Sequence, residues 1–148
     1  MPVQDLIQVL LDEADLVDEL MALVAEQRES VKTADHATMQ ELMKRVQDVS
    51  IQIQTQEAQR ERLAASVATE LGCEPNLTSL KRALSERDRS LLDSAGQRLG
   101  HAVFALKAEM IILNSLVEQN ERYSAMLLSE WRRLDAGFMR SGGLDFRG

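Results

Sequence analysis

SERDRSLLDSAGQRLGHAVFALKAEMIILNSLVEQNERYSAMLLSEWRRLDAGFMR, residues 85–140, contains no proline and sets a leucine at almost every seventh position. The series runs Leu92, Leu99, Leu106, Leu113, then Asn120, then Leu127 and Leu134. A seven-residue apolar repeat marks a helix with one continuous seam. The spacing therefore predicts a single very long helix with one polar interruption. At 1.5 Å per residue it makes a rod of roughly 75–80 Å. Such a rod cannot bury its seam in a compact globule. Its partners must be equally long helices of this chain, of a second copy, or of another protein.

The composition agrees with helices packed on helices. Hydrophobic residues make up 45% of the 148 residues but aromatics only 3%, so Leu, Val, Ala and Met must supply the core. The two prolines are Pro2 and Pro75. With 28% charged residues and a strong apolar periodicity, the chain is not of the disordered class. The uncharged run 110–117 is too short to span a bilayer. Pro2 and the acidic residues that follow it do not read as a secretory signal. The single cysteine, Cys73, excludes an internal disulfide, and a reducing cytoplasm is the expected location.

Charge is unevenly placed. Before Val31 the chain carries Asp5, Asp12, Glu13, Asp15, Asp18, Glu19, Glu26 and Glu29 against Arg28 alone, which accounts for the whole net charge of −7. No basic stripe exists to neutralise phosphates, so nucleic acid is not an expected partner. The acidic block reads as a solvated helix face or as a contact for a basic partner.

The first helix should span about residues 3–31. Val3, Leu10, Val17, Val24 and Val31 repeat every seven residues, with Ile7, Ala14 and Met21 beside them, and Leu6, Leu16, Leu20 and Leu23 form a second stripe. Two stripes call for two neighbours, hence a bundle. A break follows at 32–37. Asp35 or Thr38 can cap the second helix, and Thr38 with Glu41 has the spacing of a capping box. That helix runs to about Leu71, where Gly72 is a stop signal. Its seam is interrupted at Gln56 and Arg60; the first expectation is that the arginine stem packs while its head reaches water, and the second a buried polar pairing with the other helices. Pro75 and Asn76 read as a turn and 77–84 as a short helix. Ser85 then caps the long helix with Asp88 at the third position. Gly96 and Gly100 would let a neighbouring helix approach closely.

The expected fold is all-α. It is an elongated antiparallel bundle of three long helices plus a short connecting helix, with a left-handed twist and the third helix longest and overhanging. Residues 1–136 form one domain and 137–148 a flexible tail. Helix lengths place Asn120 near the top of the body, as a register or boundary residue. The overhang carries Tyr123, Met126, Leu127, Leu128, Trp131, Leu134 and Phe138. A soluble monomer rarely leaves such a stripe bare, so it either binds a partner or is covered by fold-back or dimerisation; the residues leave both open.

No catalytic or metal constellation is legible. His36 and His101 lack a glutamate three residues before them, and no His-Glu-x-x-His occurs. Cys73 has no matched histidine. The run His101-Ala102-Val103-Phe104-Ala105 lacks the lysine and glycine of histidine phosphotransfer domains, so His101 reads as structural. No cofactor and no enzyme activity are expected.

The order of features resembles the FlgN-type flagellar export chaperones. The resemblance covers about residues 6–134. It rests on the acidic first helix, the Ala34-Asp35 turn, the close Leu71-Gly72-Cys73-Glu74-Pro75, the short helix, and the run Asn114-Ser115-Leu116-Val117-Glu118-Gln119-Asn120-Glu121-Arg122-Tyr123. It implies a cytoplasmic chaperone of type III flagellar export. Such a chaperone grasps an amphipathic C-terminal helix of hook-associated (hook–filament junction) proteins and presents them to the export gate. Carried over, Met126, Leu127, Leu128, Trp131, Leu134 and Phe138 would bind the client and Tyr123 would contact the gate. Apart from the resemblance, the bare stripe itself allows a homodimer. The alternative is a scaffolding coiled coil that acts only by self-association.

Overall fold

The computed structural model describes residues 2–118 and 121–140. These form five helices and no strand: α1 (Pro2–Thr33), α2 (His36–Leu71), α3 (Leu77–Ala83), α4 (Glu86–Val117) and α5 (Glu121–Arg140).

Local chemistry sets the boundaries. α1 ends with Ala34 in the left-handed conformation, φ 55°; the N–H groups of Ala34 and Asp35 return to the carbonyls of Val31 and Ser30 at 3.2 and 3.0 Å. Of the two candidate caps for α2, Asp35 serves: its carboxylate accepts from the Thr38 N–H at 3.1 Å and from the Thr38 hydroxyl at 2.7 Å. Those two bonds, the hydroxyl first, hold the Asp35 carboxyl below its ordinary value. α2 stops at Gly72, whose φ of 69° costs a glycine little. Asn76 caps α3 through the Ser79 N–H at 2.8 Å, and Ser85 caps α4 through the Asp88 N–H at 3.3 Å.

α1 is the shared neighbour, as its two stripes require. It packs along both α2 and α4, and among the described residues no Cα of α2 comes within 8 Å of one of α4. Cross-helix pairs give the directions. Arg45 with Glu26 at 3.9 Å and Arg60 with Glu13 at 3.8 Å make α2 antiparallel to α1. Gln4 with Asp88 at 3.0 Å and Arg28 with Glu109 at 3.5 Å make α4 parallel to α1. Leu6, Leu10, Ala14, Val17 and Leu20 of α1 meet Leu42, Val46 and Ile53 of α2 and Leu92, Leu99 and Leu106 of α4 in one buried core. Opposite α1, the gap between α2 and α4 is bridged by α3 and by α5.

Two expectations are corrected. The third long helix does not continue as an overhang: it ends at Val117, and α5 packs back against α2 and α4. The physical reason is burial. The run Glu118-Gln119-Asn120-Glu121 offers the core nothing apolar, whereas folding back takes Leu134 to 3% exposure. Asn120, proposed as the boundary residue, lies outside the described residues. Nor does the head of Arg60 reach water: the residue is 0% exposed and meets Glu57 as well as Glu13. A guanidinium excluded from water needs a carboxylate; Glu57 supplies it, and Glu13 adds a second carboxyl at 3.8 Å. Burial, and then the hydrogen bond with Glu57, push the Glu13 carboxyl up from 4.5 to about 10, although Arg60 opposes the shift.

Gly96 does not mark a forced approach. A Cβ there would meet only Leu77 Cδ2 of α3, at the ordinary distance of 3.9 Å. By length and composition α4 is also apolar enough to cross a membrane, although its uncharged run is short. Its apolar residues divide between a face buried against α1 and an outer stripe.

Candidate functional site

The site expected at the C-terminal end is a cleft with a helix lying in it. Leu20 and Val24 of α1 form its floor, Val46 of α2 one wall, and Met110 and Leu113 of α4 the other. Glu130, Trp131 and Leu134 of α5 close it, and Gln27 and Asn114 are its polar members. The space left beside α5 is about 20 Å³, room for one or two water-sized bodies and too little for a partner's side chain.

α5 is amphipathic in place. Leu134 is buried, Trp131 and Leu128 are half-buried, and Ala125, Ser129, Arg132 and Ala136 are exposed. Lys107 and Asp135, 2.8 Å apart, tie α5 to α4. Arg133 and Glu130, 2.6 Å apart, pair within α5.

Of the residues singled out in the sequence, Trp131 and Leu134 are brought together against the core, with Leu128 a turn before Trp131. The side chains of Tyr123, Met126, Leu127 and Phe138 lie outside those the structure describes. His101 is exposed on α4, His36 is exposed in the first turn of α2, and Cys73 is free and half-buried. Two features were ranked second or missed in the sequence. One is the buried Glu13–Glu57–Arg60 group, whose partners the sequence did not name. The other is the outer face of α4, where Phe104, Ile111, Ile112 and Leu116 are exposed; the uncharged run 110–117 was its only signal.

Among the described residues no group of three or more His, Cys, Asp or Glu is placed to hold a metal ion. What the arrangement offers is an apolar cleft that accepts an amphipathic helix, the recognition mode of helix in groove.

No curated protein matches the chain, and no solved structure does. The model of one family, described as FlgN protein, matches residues 1–140. An all-helical chain, matched over nearly its whole length, thus belongs to the FlgN family of flagellar type III export chaperones.

Proposed function

We propose that this chain is a cytoplasmic chaperone that holds hook-associated flagellar proteins by their amphipathic C-terminal helix and delivers them to the export gate. The observation that carries the reading is the seat of α5: an amphipathic helix of this chain lies in an apolar cleft between α2 and α4, with Trp131 and Leu134 on its inner face. A client helix presents the same chemistry. It meets the chaperone either by packing on α5 or by taking over the surface that α5 covers.

The energetics allow exchange. Burying one large apolar side chain contributes about 1.5–3 kcal/mol. Leu134 is the one large side chain that α5 buries fully among the described residues. A client helix that inserts several such side chains gains more than that seat, before the cost of association, which is of comparable size. Met126, Leu127, Leu128, Trp131, Leu134 and Phe138 are assigned to the client, and Tyr123 to the gate.

Capture of hook-associated proteins from a flagellated cell extract tests the reading. Trp131→Ala and Leu127→Ala are expected to abolish capture while helical circular dichroism stays near wild type. Undiminished capture by both variants would sink the assignment.

A further inference from the structure

The outer face of α4 is a second helix seam on the side away from α1. Phe104 is 77% exposed and Ile111 55%, with Ile112 and Leu116 exposed beside them. Ser94, Gln97, His101, Phe104, Ala108, Ile111 and Ser115 follow one another at alternating spacings of three and four, the a/d spacing of a coiled coil. All are exposed. The seam is about 33 Å long. It is also neutral. The charged residues within 94–115 are Arg98, Lys107 and Glu109, and each is engaged inside the chain: Arg98 with Asp15 and Asp18, Lys107 with Asp135, Glu109 with Arg28.

We propose that this face joins two copies of the chain, α4 running antiparallel to α4, with Phe104 of each seated on Ala108 of the other. The seam is complementary to itself in that direction. Antiparallel a-to-d pairing sets position 104 against 108, 101 against 111 and 97 against 115, so the largest side chain meets the smallest and glutamine meets serine. A parallel pair would stack Phe104 on Phe104 and leave a gap between the two Ala108. A two-fold axis then maps positions 97–115 onto themselves, with Ser94 facing Glu118 at each end. Charge favours the same face. The acidic excess of the chain lies in α1, which packs on the opposite side of α4. Two chains of net charge −7 therefore meet through their neutral sides, with the acidic helices turned away. A contact of one seam falls below the roughly 1,200 Å² of standard interfaces, so the dimer is weak and concentration-dependent.

Sedimentation velocity over a concentration series tests this. The wild type should shift from monomer to dimer, and Phe104→Glu, a change at an exposed position, should stay monomeric with unaltered circular dichroism. In a Cys73→Ser background, Gln97→Cys and Ser115→Cys chains should be joined by a short bismaleimide only when mixed. A wild type monomeric throughout overturns the proposal. So does a Phe104→Glu variant as dimeric as wild type, or cross-linking of each cysteine variant to itself. Loss of client capture by Phe104→Glu in a chain that never dimerises overturns it too, and gives the face to the client helix instead.

Discussion

Lys107 Nζ stands 2.8 Å from Asp135 Oδ1, joining the middle of α4 to the far part of α5. Both side chains are partly exposed, at 27% and 46%, so the pair contributes no more than about 1 kcal/mol. It aligns α5 antiparallel to α4; Leu134, one residue away, supplies the grip.

Trp131 reports on that grip, being the only tryptophan. Leu134→Asp places a charge in the apolar cleft and should release α5, shifting Trp131 emission to the red while α1, α2 and α4 remain folded. Lys107→Glu, which sets like charges face to face, should give a smaller shift that salt reverses. An unmoved emission maximum in Leu134→Asp would show that α5 is held by something else.

The buried Arg60 group predicts opposite effects from its two carboxyls. Glu57→Gln removes a partner of a guanidinium that has no water, and should cost about 3–5 kcal/mol in urea unfolding. Glu13 behaves otherwise. Its carboxyl titrates near 4.5 in the unfolded chain and about 10 in the folded one. Between those values the folded state holds one more proton, so stability falls as pH rises, by up to about 1.4 kcal/mol per unit. Glu13→Gln should flatten that dependence between pH 6 and 9. Parallel urea midpoints for wild type and variant across the window would contradict it.

Much of this molecule was legible in its residues, and the gaps have identifiable causes. Leu92, Leu99, Leu106 and Leu113 are all buried, because a seven-residue repeat reports a helix face directly. Gly72, Asn76 and Ser85 mark their turns because left-handed backbone and orphan N–H groups demand particular side chains. The break after Val117 was hidden. Leu127 and Leu134 continue the repeat in phase with Leu113, so periodicity alone cannot separate one helix from two; tertiary burial decides. Arg60 misled for a related reason: Glu57 stands three residues before it, but its second partner Glu13 lies on α1, and no local spacing shows that the group is buried. The outer seam of α4 was partly visible as uncharged sequence, but only packing says which side of a helix is covered.

Ala34 sits at φ 55°, where an L side chain is strained. Ala34→Gly should relieve the strain and raise the thermal midpoint, by an amount equivalent to less than about 1 kcal/mol, since glycine also enlarges the entropy of the unfolded chain. A lowered midpoint would mean that the turn tolerates alanine without strain.

Gly96 offers the complementary case. It lies inside α4, and a methyl group added there would have only Leu77 nearby, at 3.9 Å, so Gly96→Ala should stabilise by about 1 kcal/mol through helix propensity. Destabilisation would reveal a tighter approach of α3 than the structure has.

The parallel course of α1 and α4 governs the order of assembly. Their side-chain bonds join residues 80 to 84 apart in sequence, whereas α1 and α2 meet through a tight turn. During synthesis the α1–α2 hairpin is complete while the second stripe of α1 still faces solvent. Loop-closure entropy delays the docking of α4. A chain cut after α2 should therefore expose an apolar stripe of α1 that only α4 covers.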